Sequence, residues 1–110
     1  MIFSSVTYIA VYRLFHELFN TKFGVETTIV DTSDPANVAA AIRPNTRLIH
    51  IETPGNPTLQ ISDIEEIARI AHENGALLSV DNTFASPYNQ RPLDFGADFT
   101  VESLTKYING

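Results

Sequence analysis

The chain has 110 residues, 44% of them hydrophobic and 18% charged, with a formal net charge of -6 and no cysteine. That length suits one domain with a modest core, and the composition is that of a folded chain rather than a disordered one. Scattered single Lys and Arg argue against a nucleic-acid surface, and the lack of thiols excludes disulfides and thiolate chemistry.

Residues 6–22 carry Tyr8, Val11, Tyr12, Phe15, Leu18 and Phe19 at helical spacing, with Gly24 as the stop. The aromatic stripe reads as core packing. Residues 26–31 are β-branched and predict a strand. A second helix opens at Asp34, a suitable N-cap, with Pro35 at its first turn, and it ends before Pro44. Residues 47–52 predict another strand, followed by a loop with Pro54, Gly55 and Pro57. Ser62 and Glu65 form a capping-box pattern before a helix whose Ile64, Ile67, Ala68 and Ala71 share one face. Gly75 stands where a C-terminal cap belongs. Residues 76–81 predict a third strand and residues 98–102 a fourth, which no following helix covers. Strands alternating with helices predict an α/β, three-layer, mostly parallel sheet with helices on its faces.

The apolar runs are far too short for a membrane span. The N-terminus has no basic segment followed by an apolar stretch, so a cytoplasmic protein is expected. His16, His50 and His72 form no spaced metal pair, and no metal site is expected. His72 suits the negative end of its helix.

In open α/β sheets, ligands bind beyond the carboxyl ends of the strands. Residues 31–33, 52–57, 81–83 and 103–106 all occupy such places. Lys106 is one of two lysines and lies among hydroxyl residues, so as a free amine it could form an imine with an aldehyde. Ser103 and Thr105 offer hydroxyls to phosphate oxygens. Asp81 ends an apolar strand, where a carboxylate needs a cationic or donor partner. By spacing alone these residues are better explained as caps, loop anchors and surface charge.

The residues themselves shift that balance. Glu52-Thr53-Pro54-Gly55-Asn56-Pro57-Thr58, Val80-Asp81-Asn82-Thr83-Phe84-Ala85-Ser86-Pro87, Gly96-Ala97-Asp98 and Ser103-Leu104-Thr105-Lys106-Tyr107-Ile108-Asn109-Gly110 occur in this order. Together they resemble the Cys/Met metabolism family of pyridoxal-phosphate (PLP) enzymes, which includes cystathionine synthases and lyases, methionine γ-lyase and O-acetylhomoserine sulfhydrylases. The resemblance runs from about Thr7 to Gly110.

It implies a partial PLP-binding large domain over residues 1–110, of the aspartate-aminotransferase-like fold, with the N-terminal phosphate loop and C-terminal domain outside the chain. It also implies pyridoxal 5'-phosphate as cofactor and Lys106 as its Schiff-base lysine. By the same likeness, Asp81 is the partner of the pyridinium nitrogen. Ser103 and Thr105 match phosphate ligands, Thr83 a ring contact, and Asn56 a hydrogen-bond donor to the ring hydroxyl. Glu52 would hold the loop's shape. The implied activity is a lyase or transferase of transsulfuration, by β/γ-elimination or γ-replacement on a small amino-acid substrate, in a homotetramer. The alternative is an inactive truncated chain that associates with a full-length relative. A nucleotide-binding module is disfavoured, since no Gly-x-Gly-x-x-Gly or P-loop stretch occurs.

Two departures stand out. The family pattern Tyr-Gly-x-Thr-aromatic is set against residues 4–8, which puts Ser4 where a ring-stacking tyrosine stands and Tyr8 at the later aromatic. This makes residues 1–5 an altered beginning. Glu102 places an anion where the family has an uncharged polar residue or His, close to the phosphate ligands.

Overall fold

The computed structural model describes residues 1–110. Strands β1 (Ile2–Ser4), β2 (Thr28–Val30), β3 (Leu48–Glu52), β4 (Leu77–Asp81) and β5 (Phe99–Val101) form one sheet. All are parallel, in the order β2-β1-β3-β4-β5. The expected parallel α/β sheet is therefore present, with one strand more than expected. β1 is only three residues long, too short to display alternation, yet it lies between β2 and β3 with Ile2 and Phe3 buried. Residues 2–4 thus lie at the sheet's centre.

Side chains alternate between faces along a strand, and parallel register carries that alternation across the sheet. Ile2 pairs with Ile49, and Ile49 with Leu78. These residues, with Ile51 and Val80, meet α3 (Pro35–Ala41) and α4 (Ile64–Glu73) in the main core. Ile64, Ile67, Ala68, Ile70 and Ala71 are the buried side of α4, matching the predicted face. Each large side chain buried there contributes about 1.5–3 kcal/mol relative to exposure.

The other face differs. Phe3, His50, Ser79 and Phe99 form one row, and Glu52, Asp81 and Val101 the next. Over Phe3 and His50 lies a continuous helix: α1 (Ile9–Arg13), a widened π segment (Leu14–Asn20) and α2 (Thr21–Phe23), closed by Gly24 at φ 66°. The Phe15 ring stands 5.3 Å from Phe3 and 5.5 Å from His50, and Phe19 and Phe23 extend the ladder. The predicted stripe is core packing at Phe15, but Tyr8 precedes the helix and is 52% exposed. Towards β5 this face is uncovered, with Phe99 53% exposed.

The α3 cap is as predicted: Asp34 accepts from the Ala36 N–H at 2.9 Å. The α4 cap is not. Asp63, rather than Ser62, accepts from the Glu66 N–H at 3.0 Å. Ser62 is buried and already engaged, its hydroxyl 2.8 Å from Thr32 Oγ1 and its N–H donating to Thr53 Oγ1 at 3.0 Å.

Candidate functional site

The strand order places β1 beside β3, although β2 separates them in sequence on β1's other side. At such a switch point the chain leaves neighbouring strands in opposite directions and opens a crevice at their carboxyl ends. A cleft of about 510 Å³ lies there, within the range of small-molecule sites. All six predicted site residues line it: Asn56 after β3, Asp81 and Thr83 at the end of β4, and Ser103, Thr105 and Lys106 after β5. Glu52, Tyr8, Phe84 and Tyr107 complete the wall.

Each is held by local hydrogen bonding. Asp81 Oδ1 accepts from the Thr83 N–H at 3.0 Å, turning the chain sharply after β4. Thr83 Oγ1 in turn accepts from the Ser103 N–H at 2.9 Å, tying the β4 turn to the β5 turn. Ser103 Oγ and Thr105 Oγ1 stand 3.0 Å apart, a hydroxyl pair at the cleft edge. Lys106 follows in a non-helical backbone conformation (φ -108°, ψ -129°) and forms no ion pair. Its ammonium is therefore free to meet a ligand.

Glu52 is 5% exposed and opposes Asp81 across the β3–β4 ladder. Its Oε2 accepts from the Tyr8 N–H at 2.6 Å and its Oε1 from the Asn56 N–H at 3.1 Å. Burial pushes its carboxyl above the ordinary value; these N–H groups oppose the shift and the Asp81 charge adds to it. Two residues back on the same face, His50 Nδ1 lies 3.1 Å from Ser79 Oγ, while its buried Nε2 has no partner. Burial lowers the His50 pKa, with the Asp81 charge acting in the opposite sense.

Two expectations are corrected by this geometry. Ser4 is not a wall residue. Alternation turns it to the α4 face, where its Oγ accepts from Thr32 Oγ1 at 3.0 Å, away from Asp81. The aromatic at the cleft is Tyr8, whose signal was its place just beyond a strand end, hidden because β1 itself is so short. Glu102 does not line the cleft either. Its Oε1 accepts from the buried Asn82 Nδ2 at 2.8 Å. Gln90 bonds the same Asn82 and also Thr53 O, so Glu102, Asn82 and Gln90 together tie the ends of three strands.

A second cavity, of about 560 Å³, lies at the amino ends of the strands, against Phe15, Phe19, Leu48 and Arg47. It is slightly larger and also carries polar groups, from Met1, Glu26, Asn45 and Arg47, but none of the six predicted site residues reaches it. No three His, Asp or Glu side chains gather to hold a metal ion, and His72 pairs instead with Asp98 at 3.0 Å. No helix is long and apolar enough to cross a membrane.

A family model described as Cys/Met metabolism PLP-dependent enzyme matches residues 1–110. The chain is 53% identical over its whole length to a canavanine gamma-lyase of Pseudomonas canavaninivorans, of which it covers 28%. It is 54% identical over 91 residues to an L-methionine gamma-lyase of Fusobacterium nucleatum subsp. polymorphum, covering 82% of this chain and 23% of that one. The crystal structure of metB from Corynebacterium glutamicum superposes with a TM-score of 0.95 at 50% identity, covering 99% of this chain and 28% of that one. The chain thus spans under a third of the length of each.

Proposed function

The chain belongs to the Cys/Met metabolism PLP-dependent enzyme family, and we propose that it supplies part of the large domain's cofactor site to a lyase or transferase of sulfur amino-acid metabolism. The family's cofactor is pyridoxal phosphate. The observation that carries the proposal is the convergence of Lys106, Asp81 and the Ser103–Thr105 hydroxyl pair on one cleft.

The donor set fits that group. It comprises an unpaired amine for an aldehyde, a carboxylate for a ring nitrogen, paired hydroxyls for phosphate oxygens, and the Tyr8 and Phe84 rings for a planar face. When bound, pyridoxal phosphate supplies an electron-accepting ring that stabilises negative charge on a substrate carbon.

The chain's own residues then have distinct tasks. Lys106 Nζ would hold the aldehyde carbon, and its amine would carry protons to and from the substrate carbons. Asp81 keeps a proton on the ring nitrogen, since an adjacent anion favours the cationic ring. Ser103 and Thr105 donate to the phosphate, and Asn56 to the ring hydroxyl. Thr83 keeps the two turns in register through its bond to the Ser103 N–H and would contact the ring. Substrates of the cysteine, homoserine or methionine type suit this chemistry, with sulfur or oxygen leaving from Cβ or Cγ. The assembled enzyme is a homo-oligomer in this proposal.

Titration of the chain with pyridoxal phosphate, followed by visible absorbance, tests the site. A saturable new band is expected. Absorbance equal to that of the free cofactor at every concentration would contradict the proposal.

A further inference from the structure

Glu52 links two stretches of chain that lie far apart in sequence but face each other across the switch point. One carboxylate oxygen takes the Tyr8 N–H, at the exit of β1, and the other takes the Asn56 N–H, in the loop after β3. Both of those residues line the cleft. The two loops also touch directly, since a Cβ built on Gly55 would lie 2.9 Å from Val6 Cβ and closer still to Val6 Cγ2. Only an ionised carboxylate offers two acceptor oxygens in such a place. An amide offers one acceptor and turns two donors towards the other N–H, and a protonated acid loses one acceptor face.

We propose that Glu52 is a positioning residue: its ionised carboxylate clasps the β1 and β3 exit loops and so sets Tyr8 and Asn56 on the cleft wall. Its consequence for cofactor binding rests on the function proposed above; the clasp itself does not. Asp81 opposes Glu52 on β4; Tyr8, Lys106 and Tyr107 share the cleft wall with it, and His50 lies two residues back on its own strand. Asp81 is the nearest negative neighbour across the ladder and opposes ionisation. The two N–H donors favour it. The clasp is therefore sensitive to protonation, closing as Glu52 ionises.

Two measurements decide this. In the unmodified chain, the backbone amide resonances of Tyr8 and Asn56 are followed against pH by NMR. A single shared midpoint, above the ordinary glutamate value, is expected. Independent midpoints, or no movement, would overturn the clasp. In Glu52→Gln the shared step is lost, and pyridoxal phosphate binds about tenfold more weakly, as removal of one charge-assisted hydrogen bond implies. Borohydride still fixes the cofactor on Lys106, which separates a displaced wall from a lost attachment point. Unchanged affinity in Glu52→Gln would overturn the positioning role. If the unmodified chain takes up no pyridoxal phosphate, the cofactor site fails and the amide titration alone decides the clasp. The same titration decides it if Glu52→Gln does not fold.

Discussion

Two cavities of nearly equal size, about 510 and 560 Å³, lie at opposite ends of one sheet and share no lining residue. The amino-end cavity is bounded by the foot of the aromatic ladder and by Met1, Glu26 and Asn45, with the Met1 amine donating to Glu26 O and Arg47 bound to the carbonyls of Pro44 and Thr46. The carboxyl-end cleft gathers an amine, two carboxylates, three aliphatic hydroxyls, two phenols and an amide from four strand exits. Volume does not separate them. Strand direction does, because a parallel sheet delivers every loop that follows a strand to the same rim. What marks a site is chemical convergence on that rim.

The largest expected effect strikes both ends together. Ile67 is fully buried between α4 and the sheet, and Ile67→Ala should cost about 2–5 kcal/mol of stability in a denaturant titration. Cofactor uptake should fall with it. A stable variant that had lost uptake would show that the cleft depends on α4 directly rather than through the sheet.

Asp81→Asn is smaller and confined to one end. Loss of a charge-assisted partner for the ring nitrogen should weaken cofactor binding by about 10- to 100-fold, the equivalent of about 1.5–3 kcal/mol. Arg47→Ala, at the other end, should leave binding unchanged. Equal losses in the two variants would erase the distinction between the cavities.

His50 lies between the two ends, and its effect is the smallest. Its folded pKa lies below the ordinary value of 6.5, chiefly through burial. The unfolded chain therefore binds a proton first as pH falls, so stability is intact above about 6.5 and declines on acidification below it. His50→Phe should flatten that part of a stability–pH curve. An unaltered slope would assign the decline to other groups.

How far the sequence reveals this depends on the length of each element. α4 carries ten residues with one apolar face, so its buried side was legible outright. β3 and β4 were legible within a residue, because five-residue segments with three apolar residues each, set off by Pro and Gly, leave little choice. β1 was not, since three residues carry no visible period and its burial comes from neighbours supplied 25 or more residues later. The error in β1 propagated. With no strand visible there, Tyr8 reads as a helix residue, and nothing in the family pattern set against residues 4–8 reveals that strand alternation turns Ser4 away from the cleft. Ser62 was misread as a cap for a different reason. Local pattern favours it, but its hydroxyl is already used by Thr32, and Asp63 one residue on is free to cap. Glu102 shows the same limit: charge is visible in sequence, whereas the Asn82 amide that takes it up is not.

The cleft's identity as a cofactor site is tested most directly by borohydride reduction of the chain with pyridoxal phosphate, followed by peptide mapping. Label concentrated on Lys106, absent from Lys22 and the Met1 amine and lost in Lys106→Ala, is the expected result. Label spread evenly over Lys106, Lys22 and Met1 would mean that the cofactor reacts with any exposed amine and that the carboxyl-end cleft does not hold it.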